Sequence, residues 1–441
     1  MKIAFTTLGC KLNYAETSTY ERGFLAAGWE VVPWSSVADV YLVNSCSVTE
    51  MAEKKSRNYI RRAHKTAPDA KIVVTGCYAQ LRGDKLLEID GVWKVFGANE
   101  KSKLVNEVLD GTRSENCAHP RAHKREGPIE DGRGREATFS ECVPSKTGST
   151  FGAYSSGEER TRSFLKVQDG CDNFCAYCTV PYARGRSRSI PLCEVEKMAR
   201  DIASKGVKEV VLTGVNTGDY GRGTDESFLD LLKMLNGIDG IERYRISSIE
   251  PNLITEDIVD WIASGTKFLR HFHIPLQSGS DTLLKKVGRR YDTALFASRI
   301  DYIRSAMERP GQSKVFFGID VIVGLPGETE ELFMETYRFL KERIRPAFIH
   351  VFPYSRRPGT RAATWPDQVQ DSVKTERVAR LEALCEELHA AFVAENKGLP
   401  EQVLWESAQK DGVMGGYTGN YIRIERPFDA SKANTIEDIV I

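Results

Sequence analysis

Neither sign of charge prevails in this chain. Its 441 residues hold 61 Lys and Arg against 61 Asp and Glu, so there is no global polycation and any nucleic-acid contact must come from local patches. No stretch reaches the roughly 18 apolar residues that a membrane span needs. The opening MKIAFTTLGCK has too short an apolar run for a secretory signal, and a cytoplasmic protein with no membrane association is expected. Ten cysteines are too few for a disulfide scaffold at this length. His271 and His273 alternate on one strand face, a spacing commoner in satisfied core pairs than in metal sites. The length calls for two or three domains.

What the chain does have is clustered cysteine. Cys171, Cys175 and Cys178 lie in GCDNFCAYC, a C-x3-C-x2-C run. Three thiolates on one short loop can hold three irons of a cubane cluster and leave the fourth iron open. Electron carriers close that position with a fourth cysteine, and structural zinc sites close a four-ligand shell. A zinc knuckle borrowing a distant ligand is the alternative. The spacing resembles the signature of radical S-adenosylmethionine (SAM) enzymes, in which the amine and carboxylate of SAM chelate the open iron.

Three segments near the start share one pattern, a short β-branched strand ending in cysteine: KIAFTTLGC at Cys10, DVYLVNSC at Cys46 and KIVVTGC at Cys77. Helical patterns over 15–27 and 48–66 separate them, as in β-α units building an open parallel sheet. Ligands collect at the carboxyl ends of such strands. Each cysteine alone reads as a buried small hydrophobe, but three at that end of consecutive units point to a second iron–sulfur cluster with an open iron. The helix from Glu53 to Lys65 places Lys54, Arg57, Arg61 and Lys65 on one face. That face is either a solvated surface or a contact for a phosphate backbone.

Periodicity vanishes between 112 and 161, where SENCAHPRAHKREGPIEDGRGRE and SKTGSTFGAYSSGEERT read as a linker or a mobile functional loop. Cys117 and Cys142 lie in it at no ligand spacing. From Arg162, six strand-like runs alternate with helices: RSFLKVQ, EVVLTGVN, YRISSIE, FHIPLQS, FFGIDVIVG and AFIHVFPYS. Helices are expected over 192–205, 227–235, 255–263, 291–307 and 329–343. Six β-α repeats predict a partial barrel with its chemistry on loops at the strand ends. Asn216, Glu250, Gln277 and the Gly324–Thr329 turn fall at those ends, where capping explains a polar residue about as often as ligand contact does. The expected domains are thus 1–111, a linker at 112–161, a barrel at 162–390 and a C-terminal piece at 391–441.

Read whole, the chain resembles the radical-SAM methylthiotransferases, through GCKLN, VNSCSVTEMAEKKSR, TGCYAQ, DGCDNFCAYCTVPYARGRSRS, LTGVNTGDYG, SSIEP, HIPLQSGS, DVIVGLPGETEE and HVFPYSRRPGT. CKLNYAE, AEKKSRNYIRRA and HVFPYSRRPGT look most like the subgroup acting on threonylcarbamoyl-adenosine in tRNA. Other subgroups act on isopentenyl-adenosine in tRNA or on an aspartate of a ribosomal protein. The resemblance implies two [4Fe-4S] clusters, an auxiliary one on Cys10, Cys46 and Cys77 and a SAM-binding one on Cys171, Cys175 and Cys178. It places Tyr177 along the SAM adenine, Gly214 and Asn216 at its methionine end, and Glu250, Gln277, Gly324 and Pro326 at ribose and adenine. Arg184, Arg186 and Arg188 would reach a phosphate or the threonyl carboxylate, with salt bridging at a loop-to-helix junction as the alternative. The implied reaction replaces C2–H of the adenine by C–S–CH3, with no side chain acting as acid or base. An electron donor such as flavodoxin or ferredoxin, an unidentified sulfur donor and a monomeric state complete the expectation. The resemblance also implies a C-terminal TRAM-like β-barrel that binds RNA, although from Ala391 onward five basic residues face eight acidic ones. A two-cluster electron carrier that leaves SAM intact is the non-enzymatic rival.

Overall fold

The computed structural model describes residues 1–114, 151–155 and 161–441. Most of the expected linker, with Cys117 and Cys142, lies outside the described residues. Contacts divide the chain into two compact units. The first is Met1–Ser155 with Asp169–Ile190 and Ser355–Ala363, and the second is Ser156–Gln168, Pro191–Tyr354 and Thr364–Ile441.

The first unit is built on five parallel strands, β1 (Lys2–Thr7), β2 (Glu30–Val32), β3 (Val40–Ser45), β4 (Lys71–Gly76) and β5 (Val92–Val95). Their order is β2-β1-β3-β4-β5. Helices α1 (Lys11–Ala26), α2 (Glu50–Thr66), α3 (Cys77–Leu87) and α4 (Leu104–Ser114) connect and flank them. Central β3 is buried at every position, which is why VYLVNS reads as a continuous run rather than an alternating one. Tyr41, Val43, Ile72 and Val74 pack with Ile60 and Ala63 of α2 on one face. Val40, Leu42 and Val73 pack with Tyr20 and Phe24 of α1 and Leu104 and Val108 of α4 on the other. The strand order turns back between β1 and β3, the switch point at which open sheets bind ligands. At the start of α2 the Thr49 hydroxyl accepts the Ala52 N–H at 3.2 Å. Glu50 and Glu53 in the first turn and Lys65 in the last complement the helix dipole.

In the second unit a strand forms in each of the six expected runs: β6 (Arg162–Lys166), β7 (Glu209–Thr213), β8 (Arg243–Ile246), β9 (His271–Gln277), β10 (Phe316–Val323) and β11 (Phe348–Pro353). All pair in parallel within the sets β6-β7-β8 and β9-β10-β11. A bridge between Tyr244 and Phe268 links the sets, with the Leu269 N–H donating to the Tyr244 carbonyl at 3.0 Å. This is the expected partial barrel. A short helix α5 (Val180–Arg184) belongs to the first unit. The second holds α6 (Leu192–Ser204), α7 (Phe228–Asn236), α8 (Glu256–Ala263), α9 (Asp281–Val287), α10 (Thr293–Met307), α11 (Glu330–Arg338) and α12 (Asp371–Asn396). The helix expected over 329–343 is α-helical only to Arg338 and continues as a π-turn through Ile344.

The expected C-terminal barrel is an antiparallel half-barrel of β12 (Pro400–Lys410), β13 (Val413–Thr418), β14 (Arg423–Pro427) and β15 (Ile436–Val440), in the order β14-β13-β12-β15. Its small core is Val403, Trp405 and Met414. Charge joins it to the amino-terminal ends of the barrel strands. Glu209, fully buried, pairs with Arg243 at 2.6 Å and Arg245 at 2.8 Å. Arg245 also donates to the carbonyls of Thr418 and Gly419, and Arg243 to that of Tyr417. Burial would raise the Glu209 carboxyl, but Arg245, Arg243 and Arg162 outweigh it and hold the group down at about 2. Among the described residues no helix is long and apolar enough to cross a membrane.

Candidate active site

Cys10, Cys46 and Cys77 leave the carboxyl ends of β1, β3 and β4, and the structure brings them together. A Cβ placed on Gly9 would lie 2.8 Å from the Cys46 Sγ, and both Gly9 and Gly76 take positive φ to turn the chain from strand into cysteine and helix. Cys10 stands at the N-cap position of α1 and Cys77 opens α3, so two helix termini favour negative charge there. Burial pushes the Cys46 thiol up to about 12, with Cys77 and Cys10 adding to the effect. Burial raises Cys77 too, against the pull of Arg184. Buried thiols that repel one another's ionisation become thiolates when a cation binds them. That donor set suits a metal cluster and does not suit a packed core.

The second triplet lies in the same unit. On the loop before α5, the Cys171 Sγ accepts the Asn173 N–H and the Cys178 Sγ accepts the Val180 N–H. The Cys171 N–H donates to the Gly185 carbonyl at 3.0 Å. Residues 355–363 brace the loop from outside, with the Ala362 N–H on the Ala176 carbonyl at 2.8 Å and Arg361 on that of Phe174. Tyr177 is half-buried beside them.

Arg184 differs from its expected role. Its side chain is 3% exposed, so no phosphate reaches it. The guanidinium pairs with Asp169 at 2.9 Å and Glu16 at 3.2 Å, and donates to the Asn13 Oδ1 at 2.5 Å. Lys101 completes the cluster, 2.8 Å from Glu16. Burial would lower this guanidinium. Asp169, Cys77, Glu16 and Cys10 outweigh that and hold it well above its usual value. The residue thus joins the loop of the second triplet to the helix behind the first. Arg188 donates to the Arg184 carbonyl at 2.8 Å. Arg186 is the outward member of the three: it lies over the Phe174 ring at 4.4 Å and 3.6 Å from Asp172. On α2, Lys54 and Arg61 are exposed, while Arg57 turns to the Tyr78 hydroxyl at 2.8 Å.

The remaining expected site residues lie in the second unit, at the carboxyl ends of its strands. The Gln168 Oε1 accepts the N–H groups of Val215 and Asn216 at 2.9 and 3.1 Å. It approaches Gly214 so closely that a Cβ there would sit 2.9 Å from it. The Asn216 Oδ1 accepts the Glu250 N–H at 3.4 Å, and Glu250 pairs with Arg289 at 2.6 Å. Arg289 then reaches the Tyr291 hydroxyl, which donates to the carbonyl of Leu276. Gln277 follows with φ of 70° at a break in the β9–β10 register. Gly324 takes positive φ, and its N–H donates to Glu328. Gln168, Arg289 and Tyr291, which tie this rim together, carried no motif signal.

Fold and cysteines together define a radical-SAM enzyme with a second cysteine-ringed α/β layer. Residues 165–340 match the radical SAM superfamily, and 2–97 match a family described as Uncharacterized protein family UPF0004. The chain belongs to the radical-SAM methylthiotransferase family. It is 40% identical to the threonylcarbamoyladenosine tRNA methylthiotransferase MtaB of Bacillus subtilis, over 96% of this chain and 89% of that one. It is 33% identical to the tRNA-2-methylthio-N(6)-dimethylallyladenosine synthase of Syntrophobacter fumaroxidans, over 96% and 90%. A solved radical-SAM methyltransferase, TsrM from Kitasatospora setae, superposes with a TM-score of 0.59 at 15% identity, over 82% of this chain and 75% of that one; that likeness concerns the fold. With the family come its cofactors, SAM and two [4Fe-4S] clusters, and the two cysteine triplets fit them.

Proposed function

We propose that the chain is a tRNA methylthiotransferase converting N6-threonylcarbamoyladenosine, on the 3′ side of the anticodon, to its 2-methylthio derivative. The observation that carries this reading is the 40% identity along almost the whole of an enzyme named for that substrate. In this reading Cys10, Cys46 and Cys77 hold the auxiliary cluster, and Cys171, Cys175 and Cys178 hold the SAM-binding one. When bound, these groups with SAM supply reductive radical chemistry and the sulfur to be methylated. The protein's part is to bind, orient and shield, because no side chain of ordinary pKa removes a hydrogen from C2 of adenine. Tyr177, Gly214, Asn216, Glu250, Gln277, Gly324 and Pro326 position SAM. Lys54, Arg61 and Arg186 meet tRNA phosphates, and the anticodon loop offers the unstacked base that such enzymes require. The reaction takes place in the cytoplasm with electrons from flavodoxin or ferredoxin.

Nucleoside analysis of tRNA from cells with and without the chain tests the proposal. The 2-methylthio threonylcarbamoyl nucleoside is expected to appear only with it. A 2-methylthio dimethylallyl nucleoside instead would move the chain to the subgroup of its 33%-identical relative, and no change in either nucleoside would sink the tRNA reading.

A further inference from the structure

Three strands of the second unit each send one polar side chain to a shared place in the partial barrel. His273 of β9, Asp320 of β10 and His350 of β11 alternate with Phe272, Ile274, Phe317, Ile319 and Ile349, which are buried on the opposite face. There Arg304 of α10 lies over Phe317. The His273 Nε2 donates to the Asp320 Oδ1 at 2.6 Å. The His350 ring stacks on that of His273 with centroids 4.9 Å apart, and the polar atoms of all three side chains lie within 4.8 Å of one another. His273 and Asp320 keep 21% and 17% of their side-chain surface open. Towards the amino ends of the strands an aromatic floor closes the space, with His271 stacked on Phe316 at 5.1 Å and packed on Tyr421 at 4.9 Å. Gly318 lies against the trio, since a Cβ there would come within 3.3 Å of the Phe316 ring and 3.7 Å of the His350 Nε2. His273 precedes Gln277 by four residues and Asp320 precedes Gly324 by four. The trio therefore sits roughly 13 Å below the rim at the strand rise of a parallel sheet.

We propose that this trio is the subsite for the N6-threonylcarbamoyl group, and that His350 is the residue that selects it over apolar N6 groups. The inference rests on the tRNA-adenosine reading above and adds to it the residue that discriminates. The adenine enters the barrel mouth N6-first with C2 left at the rim, because the substituent alone is too short to cover the distance down to the trio. A dimethylallyl group there would strip water from a carboxylate and two imidazoles and return no hydrogen bond. A hydroxyl, urea and carboxylate replace that water, with imidazole nitrogen as donor or acceptor. Asp320 is already engaged by His273, which tempers its repulsion of a ligand carboxylate.

The test uses the full-length, anaerobically reconstituted enzyme and two anticodon stem-loops, one carrying threonylcarbamoyl-adenosine and one dimethylallyl-adenosine. Sites built to hydrogen-bond a substrate group reject analogues lacking it by about 10⁴-fold. His350→Phe is expected to shrink the ratio of the two kcat/KM values by roughly 100-fold, mainly through KM for the threonylcarbamoyl substrate. His350→Gln, which keeps a donor, should retain most of the ratio. A ratio cancels partial misfolding because both substrates meet the same protein. An unchanged ratio in His350→Phe would overturn the proposal. So would stoichiometric zinc or manganese in the wild type, beyond cluster iron, that Asp320→Asn loses, because the three groups would then be metal ligands. A wild type inert towards the threonylcarbamoyl stem-loop would overturn the substrate reading itself, a separate failure visible before any variant is made.

Discussion

Replacing Arg184 by methionine tests the claim that one buried guanidinium joins the two cysteine-bearing segments. Methionine keeps much of the length and apolar volume of arginine but removes the charge. Asp169 and Glu16, at 6% and 0% side-chain exposure, would lose their contacts at 2.9 and 3.2 Å, while Glu16 would keep Lys101 at 2.8 Å. Removing one partner of a buried ion cluster costs about 3–5 kcal/mol, because the remaining charges stay dehydrated. For a unit of this size 1 kcal/mol corresponds to about 2–4 °C, so the lowest thermal transition should fall by about 6–20 °C. Differential scanning calorimetry under nitrogen reads it directly. Arg184 also faces Cys77 and Cys10, so losing its charge should make the auxiliary cluster harder to reduce and move its midpoint potential to more negative values in an EPR redox titration. A transition within about 3 °C of wild type, together with an unmoved potential, would refute the reasoning.

A Cys10, Cys46 and Cys77 triple alanine variant is expected to lose about half its iron, consistent with two clusters of equal size on separate cysteine sets, while SAM is still cleaved after reduction. Iron retained in full would place both clusters elsewhere. The Glu209 carboxyl, held at about 2 against an ordinary 4.5, supplies stability that is present above pH 4.5 and lost as pH falls towards 2. Its size is on the order of 3 kcal/mol. Denaturant titrations of wild type and Glu209→Gln should therefore converge over that window, and parallel curves would contradict the assignment. Lys54→Gln with Arg61→Gln should weaken tRNA binding regardless of loop sequence and reduce the log–log salt slope by about 2; an unchanged slope would return α2 to a solvated surface.

Much of this architecture is legible in the sequence because its signals are local. Each β-branched run ending in cysteine gave a strand followed by a turn, and each of the six later runs gave a barrel strand. What stayed hidden depends on partners distant in the chain. Nothing about Glu16 or Lys101 in sequence marks them as buried, since a charge reveals its burial only when its counter-charge is seen beside it. The arginines at 184, 186 and 188 look alike as RGRSR, yet α5 turns the first inward and leaves the second over Phe174. α9 has only seven residues, too few for helical periodicity to emerge. His271 lies in an aromatic core, as its spacing suggested. His273 does not share that setting, because its partners come one each from two neighbouring strands.

The assignment of residues 169–190 to the same compact body as residues 1–114 has a practical consequence. A scissile site engineered anywhere between 115 and 150 would sever the polypeptide without separating two autonomous halves. The upstream fragment would keep Glu16 and Lys101 but surrender Arg184, and the downstream fragment would carry that arginine away from the carboxylate it was folded around. Co-expression should restore what neither piece achieves by itself.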